Sequence, residues 1–219
     1  SMHIQTSKAG MLSPHGRCFS FDSRADGFVP GEGVGVVLLK RLADAQRDGD
    51  PIQGVIRGWG INQDGTTNGI TAPSGESQSR LMREVYQRHD INPEDIQLLE
   101  AHGTGTQLGD PIETEALRDA FSSFTEKQAY CALGSVKSNV GHLLSAAGIA
   151  GVIKSLLALR EAKLPPAANY QSCNERVRLQ DSPFYLNRQC QEWPVEPGRS
   201  RHAAVSSFGF SGTNAHVVI

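Results

Sequence analysis

Residues 96–106 read IQLLEAHGTGT and residues 131–142 read CALGSVKSNVGH, and these two stretches decide the fold. Each begins with a short apolar run, typical of a buried strand, and continues into a loop of small residues that carries His102 or His142. A segment with helical character follows each loop. Strands that alternate with helices predict a layered α/β fold, in which both loops lie at the same end of one sheet.

The two loops bring together side chains that suit one kind of chemistry. A pair of neutral histidines holds a carbonyl oxygen while negative charge builds on it, as when a carbon–carbon bond is made or broken beside a thioester. A lone histidine is more often structural, but His102 and His142 in equivalent positions favour a site. Lys137 is predicted at a strand end beside His142, where its charge keeps that ring neutral and orients a neighbouring acid. Three acids are open as that neighbour: Asp110, Glu113 and Glu115.

Composition excludes several classes of protein. The chain has 219 residues, 38% of them hydrophobic, which is enough for a sizeable core. The net charge of -2 gives no broad basic face and argues against a nucleic-acid binder. No apolar stretch is long enough to span a membrane, and no secretion signal is recognised. The four cysteines form no CxxC pair, no disulfide framework and no zinc pattern with the histidines, which favours a reducing cytoplasm and no metal.

Periodicity and turn residues predict the remaining elements. Residues 62–75 form a glycine-rich loop with turn signals at Asp64-Gly65 and Asn68-Gly69. The motif at 31–35, GEGVG, is only a weak match to a phosphate loop and is interpreted as a turn and a tightly packed strand. Strands are predicted at 34–39 (buried), 52–59, 96–101, 131–136, 203–208 and 215–219, and helices at 41–47, 76–89, 110–121 and 145–161.

Three motifs, at 100–106, 137–142 and 208–216, resemble the downstream motifs of β-ketoacyl synthases, and residues 22–35 and 60–75 resemble the modular polyketide synthase branch. The resemblance covers nearly the whole chain. It implies a thiolase-like layered α/β/α/β/α fold, of which this chain holds the end of the first half and the whole second half. Residues 1–75 are then the end of the first half with a site loop, and residues 76–219 are the second half with both histidines.

The resemblance also implies a reaction, a decarboxylative Claisen condensation in polyketide chain elongation. An acyl group is held on a cysteine, and a malonyl-type extender arrives on the phosphopantetheine arm of an acyl carrier protein. The chain itself binds no cofactor. His102 and His142 resemble the histidines that assist decarboxylation, and Lys137 resembles their supporting lysine.

Three further positions resemble groups that hold the substrates. Thr104 and Thr106 resemble hydroxyls that bind the phosphopantetheine arm. The N–H of Phe210 resembles half of an oxyanion hole and its ring resembles a gate, although a simple hairpin loop is the alternative for residues 206–214.

The chain departs from the family at the nucleophile, which lies in a small-residue elbow upstream of this sequence. Cys18, Cys131, Cys173 and Cys190 do not lie at a helix N-terminus among small residues. The isolated chain is therefore predicted to be inactive and to need an upstream ketosynthase fragment, and the complete domain is predicted to be a homodimer. A non-catalytic interaction or scaffold fragment is the alternative. A thiolase is a weaker one, because residues 208–216 contain no cysteine.

Overall fold

The computed structural model describes residues 2–67, 69 and 72–219. Asn68, and with it the turn predicted at Asn68-Gly69, lies outside the described residues. Among the described helices, none has the length and apolar character needed to cross a membrane. The helices are α1 (Met2–Lys8), α2 (Leu42–Asp48), α3 (Gly75–Arg88), α4 (Gly109–Ser122), α5 (Lys137–Val140) and α6 (Ala147–Glu161), with 3-10 turns at Pro93–Asp95 and Leu144–Ala146.

A six-stranded mixed sheet forms the centre of the structure. The strands are β1 (Gly58–Gln63), β2 (Ile96–Glu100), β3 (Cys131–Gly134), β4 (Lys163–Leu164), β5 (Phe184–Leu186), β6 (Gln191–Glu192), β7 (His202–Phe208) and β8 (Thr213–Val218). The sheet order is β1-β8-β7-β2-β3-β5. Strands β7, β2, β3 and β5 run parallel, whereas β8 pairs antiparallel with β7 and β1 pairs antiparallel with β8. Strands β4 and β6 form a separate antiparallel pair.

Helices cover both faces of the sheet. Neighbouring residues of a strand point to opposite sides, so each strand contributes side chains to both layers. Leu99 joins the cluster formed with α3 and α4, which includes Leu81 and Leu117. Leu98, next along the strand, joins a second cluster that contains Ala158 of α6. Ser74 caps the N-terminus of helix α3, since its hydroxyl accepts the N–H of Ser77, and the helix buries Leu81, Met82 and Val85.

The predicted elements at 41–47, 76–89, 96–101, 110–121, 131–136, 203–208 and 215–219 are confirmed to within two residues at each end. The strand predicted at 52–59 is misplaced, since β1 begins only at Gly58 and continues to Gln63. Its position is set by pairing with β8, from Gly58 opposite Val218 to Gln63 opposite Thr213. The helix predicted at 145–161 begins as a 3-10 turn and becomes α-helical at Ala147. The division of the chain at residue 75 stays a prediction.

The buried strand predicted at 34–39 is wrong. These residues pair with no described strand, and Val34, Val36 and Leu38 are 91%, 85% and 95% exposed. The glycines of this segment instead lie close to α5, to the turn that follows it and to α6. A Cβ added at Gly31 would lie 2.4 Å from the Val140 carbonyl oxygen, and one at Gly35 would meet Ile149. The GEGVG glycines therefore provide space for a close backbone approach.

The sheet brings the two histidine loops together. Strands β2 and β3 are parallel, with Leu99 opposite Leu133 and Glu100 opposite Gly134, so they end at the same edge. The N–H of Ala101 continues this pairing to the Gly134 carbonyl at 2.8 Å. The loop after β2 carries His102, and the loop after β3 leads into Lys137 and then His142. The predicted common end for both loops is confirmed.

Candidate active site

The His102 ring lies between β2, β7 and the second histidine. Its Nδ1 accepts the N–H of Phe208, the last residue of β7, at 3.2 Å. A neutral imidazole has one donor and one acceptor nitrogen, so this contact places the proton on Nε2. No described residue accepts that proton. His102 therefore presents a donor, and its ring centroid is 5.6 Å from that of His142.

His142 is oriented in the same way by a different backbone group. Its Nδ1 accepts the N–H of Leu144 at 3.0 Å, which also leaves Nε2 as the donor. Gly141 before it adopts φ +79°, and the His142 N–H bonds the Val29 carbonyl at 2.7 Å. The Phe28 ring packs against the imidazole with centroids 5.2 Å apart. The 28–31 segment thus fixes one side of the site.

The surroundings of both histidines lower their pKa values and so favour the neutral rings. Burial lowers the pKa of His102 well below its usual value, and the nearby Lys137 ammonium and His142 lower it further. Burial, and then Lys137, lowers the pKa of His142 to about 4. The expectation that Lys137 favours the neutral form of His142 agrees with these directions.

Lys137 lies at the start of α5, with its ammonium bonded to the His102 carbonyl oxygen at 2.5 Å. Burial lowers its pKa, while four surrounding groups raise it: Glu100, Glu113, Cys18 and Asp110, in decreasing order. Of the three acids left open by the sequence, Glu115 is on the exposed side of α4 and pairs with Arg118. Glu100, which sequence reasoning missed as a neighbour, raises the pKa of Lys137 more than Glu113 or Asp110 does.

Asp110 and Glu113 hold the backbone of the His102 loop. The two Glu113 oxygens accept the N–H groups of His102 and Gly103 at 2.7 and 2.8 Å. The Asp110 oxygens accept those of Phe21 and Gly105 at 2.7 and 3.1 Å. Burial raises the pKa of Glu113 to about 7 and that of Asp110 to about 6. Asp110 and Glu113 lie three residues apart at the start of α4, directly after the His102 loop, and this spacing is the sequence signal that they support the loop.

The two threonines lie together on the loop. The hydroxyl oxygens of Thr104 and Thr106 are 3.1 Å apart, and the Thr106 oxygen accepts the Gly109 N–H at 3.0 Å. Both side chains are half-buried. Phe210 lies on the turn between β7 and β8 and is 58% exposed. That turn follows Phe208, so it continues from the strand end that orients His102.

The cysteines do not complete this site as nucleophiles. The Cys18 thiol donates to the Thr104 carbonyl at 3.2 Å, and burial raises its pKa to about 11. Burial also raises the pKa values of Cys131, inside β3, and of Cys173. Cys190 is exposed in the loop that precedes β6. The raised pKa values of Cys18, Cys131 and Cys173 disfavour the thiolate form at each of these three positions.

One edge of the sheet thus carries two adjacent histidines whose Nδ1 atoms both accept backbone N–H groups. The profile of the β-ketoacyl synthase C-terminal domain matches residues 53–171 of this chain, and that of the β-ketoacyl synthase N-terminal domain matches residues 1–45. The chain belongs to the β-ketoacyl synthase family.

Relatives of known sequence are large polyketide synthases. The chain is 54% identical over 217 residues to polyketide synthase PksL of Bacillus subtilis (strain 168), covering 99% of this chain and 5% of that protein. It is 50% identical over 218 residues to polyketide synthase ThaG of Burkholderia thailandensis, covering 100% of this chain and 4% of the relative. This chain is thus similar to a small part of each.

Solved structures of ketosynthases share its fold. The ketosynthase from module 6 of the bacillaene synthase of Bacillus subtilis 168 superposes with a TM-score of 0.97 at 53% identity, covering 99% of this chain and 39% of that one. Ketosynthase twelve of the bacillaene synthase of Bacillus amyloliquefaciens superposes with a TM-score of 0.92 at 44% identity, covering 95% of this chain and 37% of that one. The thiolase-like fold expected from the sequence is confirmed. The chain spans about two fifths of these ketosynthases.

Proposed function

We propose that this chain supplies the histidine–lysine part of a ketosynthase active site, which catalyses decarboxylative Claisen condensation in polyketide elongation. One observation carries the proposal. A backbone N–H occupies Nδ1 of both His102 and His142, so both rings offer an Nε2–H donor at the same sheet edge. Two such donors suit one thioester carbonyl oxygen on which negative charge develops.

In this reaction the malonyl-type thioester carbonyl accepts both Nε2–H groups. The bond between the α-carbon and the carboxylate breaks, carbon dioxide leaves, and the electron pair forms an enolate whose oxygen the histidines stabilise. The enolate carbon then attacks the acyl thioester carbonyl. A carbon–carbon bond forms and the enzyme thiolate leaves, which gives a β-ketoacyl thioester on the carrier protein.

Lys137 supports this chemistry without touching the extender. Its buried ammonium favours neutral rings, and its bond to the His102 carbonyl holds the loop. Neutral rings suit this step because a neutral imidazole donates a hydrogen bond to the enolate oxygen but is too weak an acid to protonate the enolate. Glu113 keeps the same loop in place through the His102 and Gly103 N–H groups.

The family resemblance supports roles for three further residues. The paired hydroxyls of Thr104 and Thr106 suit the amide groups of a phosphopantetheine arm, which an acyl carrier protein delivers as part of the substrate. The Phe210 N–H would contribute to the oxyanion hole for the acyl thioester, and its exposed ring would act as a gate.

The acyl group requires a cysteine that this chain does not offer, so we assign that role to an upstream ketosynthase portion. The chain alone is then inactive, and the complete domain is the homodimer and the partner of the acyl carrier protein. The cytoplasm is its proposed location. Neither nucleic acid nor membrane has a role in this proposal.

Replacing either histidine tests the proposal in the complete domain. His102→Ala and His142→Ala each remove one donor and should slow malonyl decarboxylation and condensation by roughly a hundred- to thousandfold. Acylation of the nucleophilic cysteine should stay near the unsubstituted rate, since neither ring is needed to transfer that acyl group. His15→Ala, at an exposed histidine paired with Asp26, is the control. Near-normal condensation in both active-site variants would overturn the role assignment.

A further inference from the structure

A buried ion pair lies beneath the histidine loops. The ammonium of Lys154, on α6, is 2.6 Å from Oε2 of Glu100, the last residue of β2. The side chains are 16% and 2% exposed. Burying a carboxylate in such a place is costly unless it is paired and hydrogen-bonded, so the partner is needed to keep Glu100 charged and in place.

The other oxygen of Glu100 reaches the second loop. Oε1 accepts the N–H of Val136 at 2.5 Å, immediately before Lys137. The Lys137 ammonium in turn bonds the carbonyl of His102, which lies two residues after Glu100. One carboxylate therefore connects the strand that leads to His102 with the first turn of the helix that carries Lys137.

Two glycines provide the space that this pair occupies. A Cβ added at Gly151 would lie 3.0 Å from Glu100 Cγ, and one at Gly134 would lie 3.3 Å from Lys154 Nζ. Neither glycine has a left-handed φ, so the backbone conformation does not require glycine at either position. Both contribute by leaving room for the ion pair.

We propose that Lys154 and Glu100 are positioning residues for the condensation site, an inference that rests on the proposed function. The Lys154 ammonium binds Oε2 of Glu100, so Oε1 stays bonded to the Val136 N–H. This arrangement holds Lys137 against the His102 carbonyl. Without Lys154, the freed Glu100 oxygen is a buried charge that competes for the Lys137 ammonium and draws it away from His102.

Lys154→Met in the complete ketosynthase domain tests this arrangement. Malonyl decarboxylation should fall by about tenfold, the lower end of the effect of removing a supporting group, while cysteine acylation changes by less than about twofold. Lys154→Arg keeps a cation opposite Glu100 and should recover most of the decarboxylation rate. Lys163→Met is the matched control, because Lys163 is exposed and its ammonium is 4.0 Å from Glu192 on the β4–β6 pair.

Gly151→Ala is a second variant that leaves both charges in place and displaces Glu100 by contact. Alanine favours a helix more than glycine does, so slower decarboxylation would come from crowding and not from a weaker α6. The inference is overturned if Lys154→Met decarboxylates normally, whatever the rate of Gly151→Ala, or if acylation and decarboxylation fall equally without rescue by arginine. His102→Ala in the same assay separates the two proposals. If it decarboxylates normally the proposed function fails, whereas an inactive His102→Ala beside a normal Lys154→Met overturns only this inference.

Discussion

At the scale of single residues, burial and hydrogen bonding decide which groups can react. The Cys18 thiol lies beside Thr104 of the histidine loop, yet it is a hydrogen-bond donor there and its pKa is raised to about 11. A thiol in that state has little thiolate at neutral pH, and the thiolate is the nucleophile. Proximity to the histidines therefore does not make Cys18 an acyl carrier.

Intact mass spectrometry tests this consequence. After incubation with an acyl thioester, the isolated chain should carry no stoichiometric acyl adduct, because no cysteine is activated. Iodoacetamide under native conditions is the control and should label the exposed Cys173 and Cys190 ahead of the buried Cys18 and Cys131. A stable acyl adduct on any of the four would contradict the assignment of the nucleophile to another part of the domain.

At the scale of elements, one carboxylate joins two irregular segments that are distant in sequence. Asp22 is fully buried and bonds Arg24 at 2.7 Å through its side chain, and it accepts the N–H groups of Gln171 and Ser172. Burial raises its pKa, but these hydrogen bonds outweigh burial and lower the pKa to about 2. Asp22 thus ties the segment before Phe28, which packs on His142, to the loop between β4 and β5.

Asp22→Asn should destabilise the fold by on the order of 2 kcal/mol at pH 7, since about 1.36 kcal/mol accompanies each pKa unit. A lowered folded-state pKa contributes stability above the unfolded value of 3.8, and this stability is lost as pH falls from 3.8 towards 2. Urea denaturation of the complete domain measures this cost. The difference in free energy of unfolding between Asp22→Asn and the unsubstituted protein should be smaller at pH 3 than at pH 7. Asp50→Asn, in an exposed pair with Lys40, should change stability by less than about 1 kcal/mol. An equal cost for Asp22→Asn at both pH values would contradict this role.

At the scale of the whole molecule, an apolar surface lies uncovered beside α6. Val34, Val36 and Leu38 are exposed along the extended segment, and Trp59 and Ile61 are 59% and 66% exposed on the edge strand β1. A groove of about 550 Å³ runs between that segment and α6, lined by apolar side chains that include Ile149, Ile153 and Leu157. Exposed apolar side chains and an edge strand both favour association.

We expect the chain to be stable only with an upstream ketosynthase portion, or else to self-associate through this surface. Size-exclusion chromatography with light scattering should show oligomers or aggregates for the chain alone, and a defined complex when the upstream portion is co-expressed. Replacing Val34, Val36 and Leu38 together with glutamate should reduce self-association, whereas Ile4→Glu, on the separate helix α1, should not. A monodisperse monomer that melts cooperatively would show that the chain is an autonomous domain.

Much of the fold and of the site was already determined by local sequence. Apolar runs, glycine loops and helix starts place His102 and His142 at the ends of successive parallel strands, and the motif order indicates the family. These features depend on neighbours within a few residues, so they can be predicted without the structure. The order of the motifs also made Lys137 and the two threonines candidates.

Tertiary structure alone decided what depends on partners distant in sequence. A strand exists only where another strand pairs with it, so β1 lies at 58–63, opposite β8, while the more apolar 34–39 segment has no described strand beside it. Glu113 is buried and supports the His102 loop, whereas Glu115 is exposed and pairs with Arg118, and only the structure distinguishes the two. The Glu100–Lys154 pair joins residues 54 positions apart, and only the packing of α6 on β2 brings these charges together.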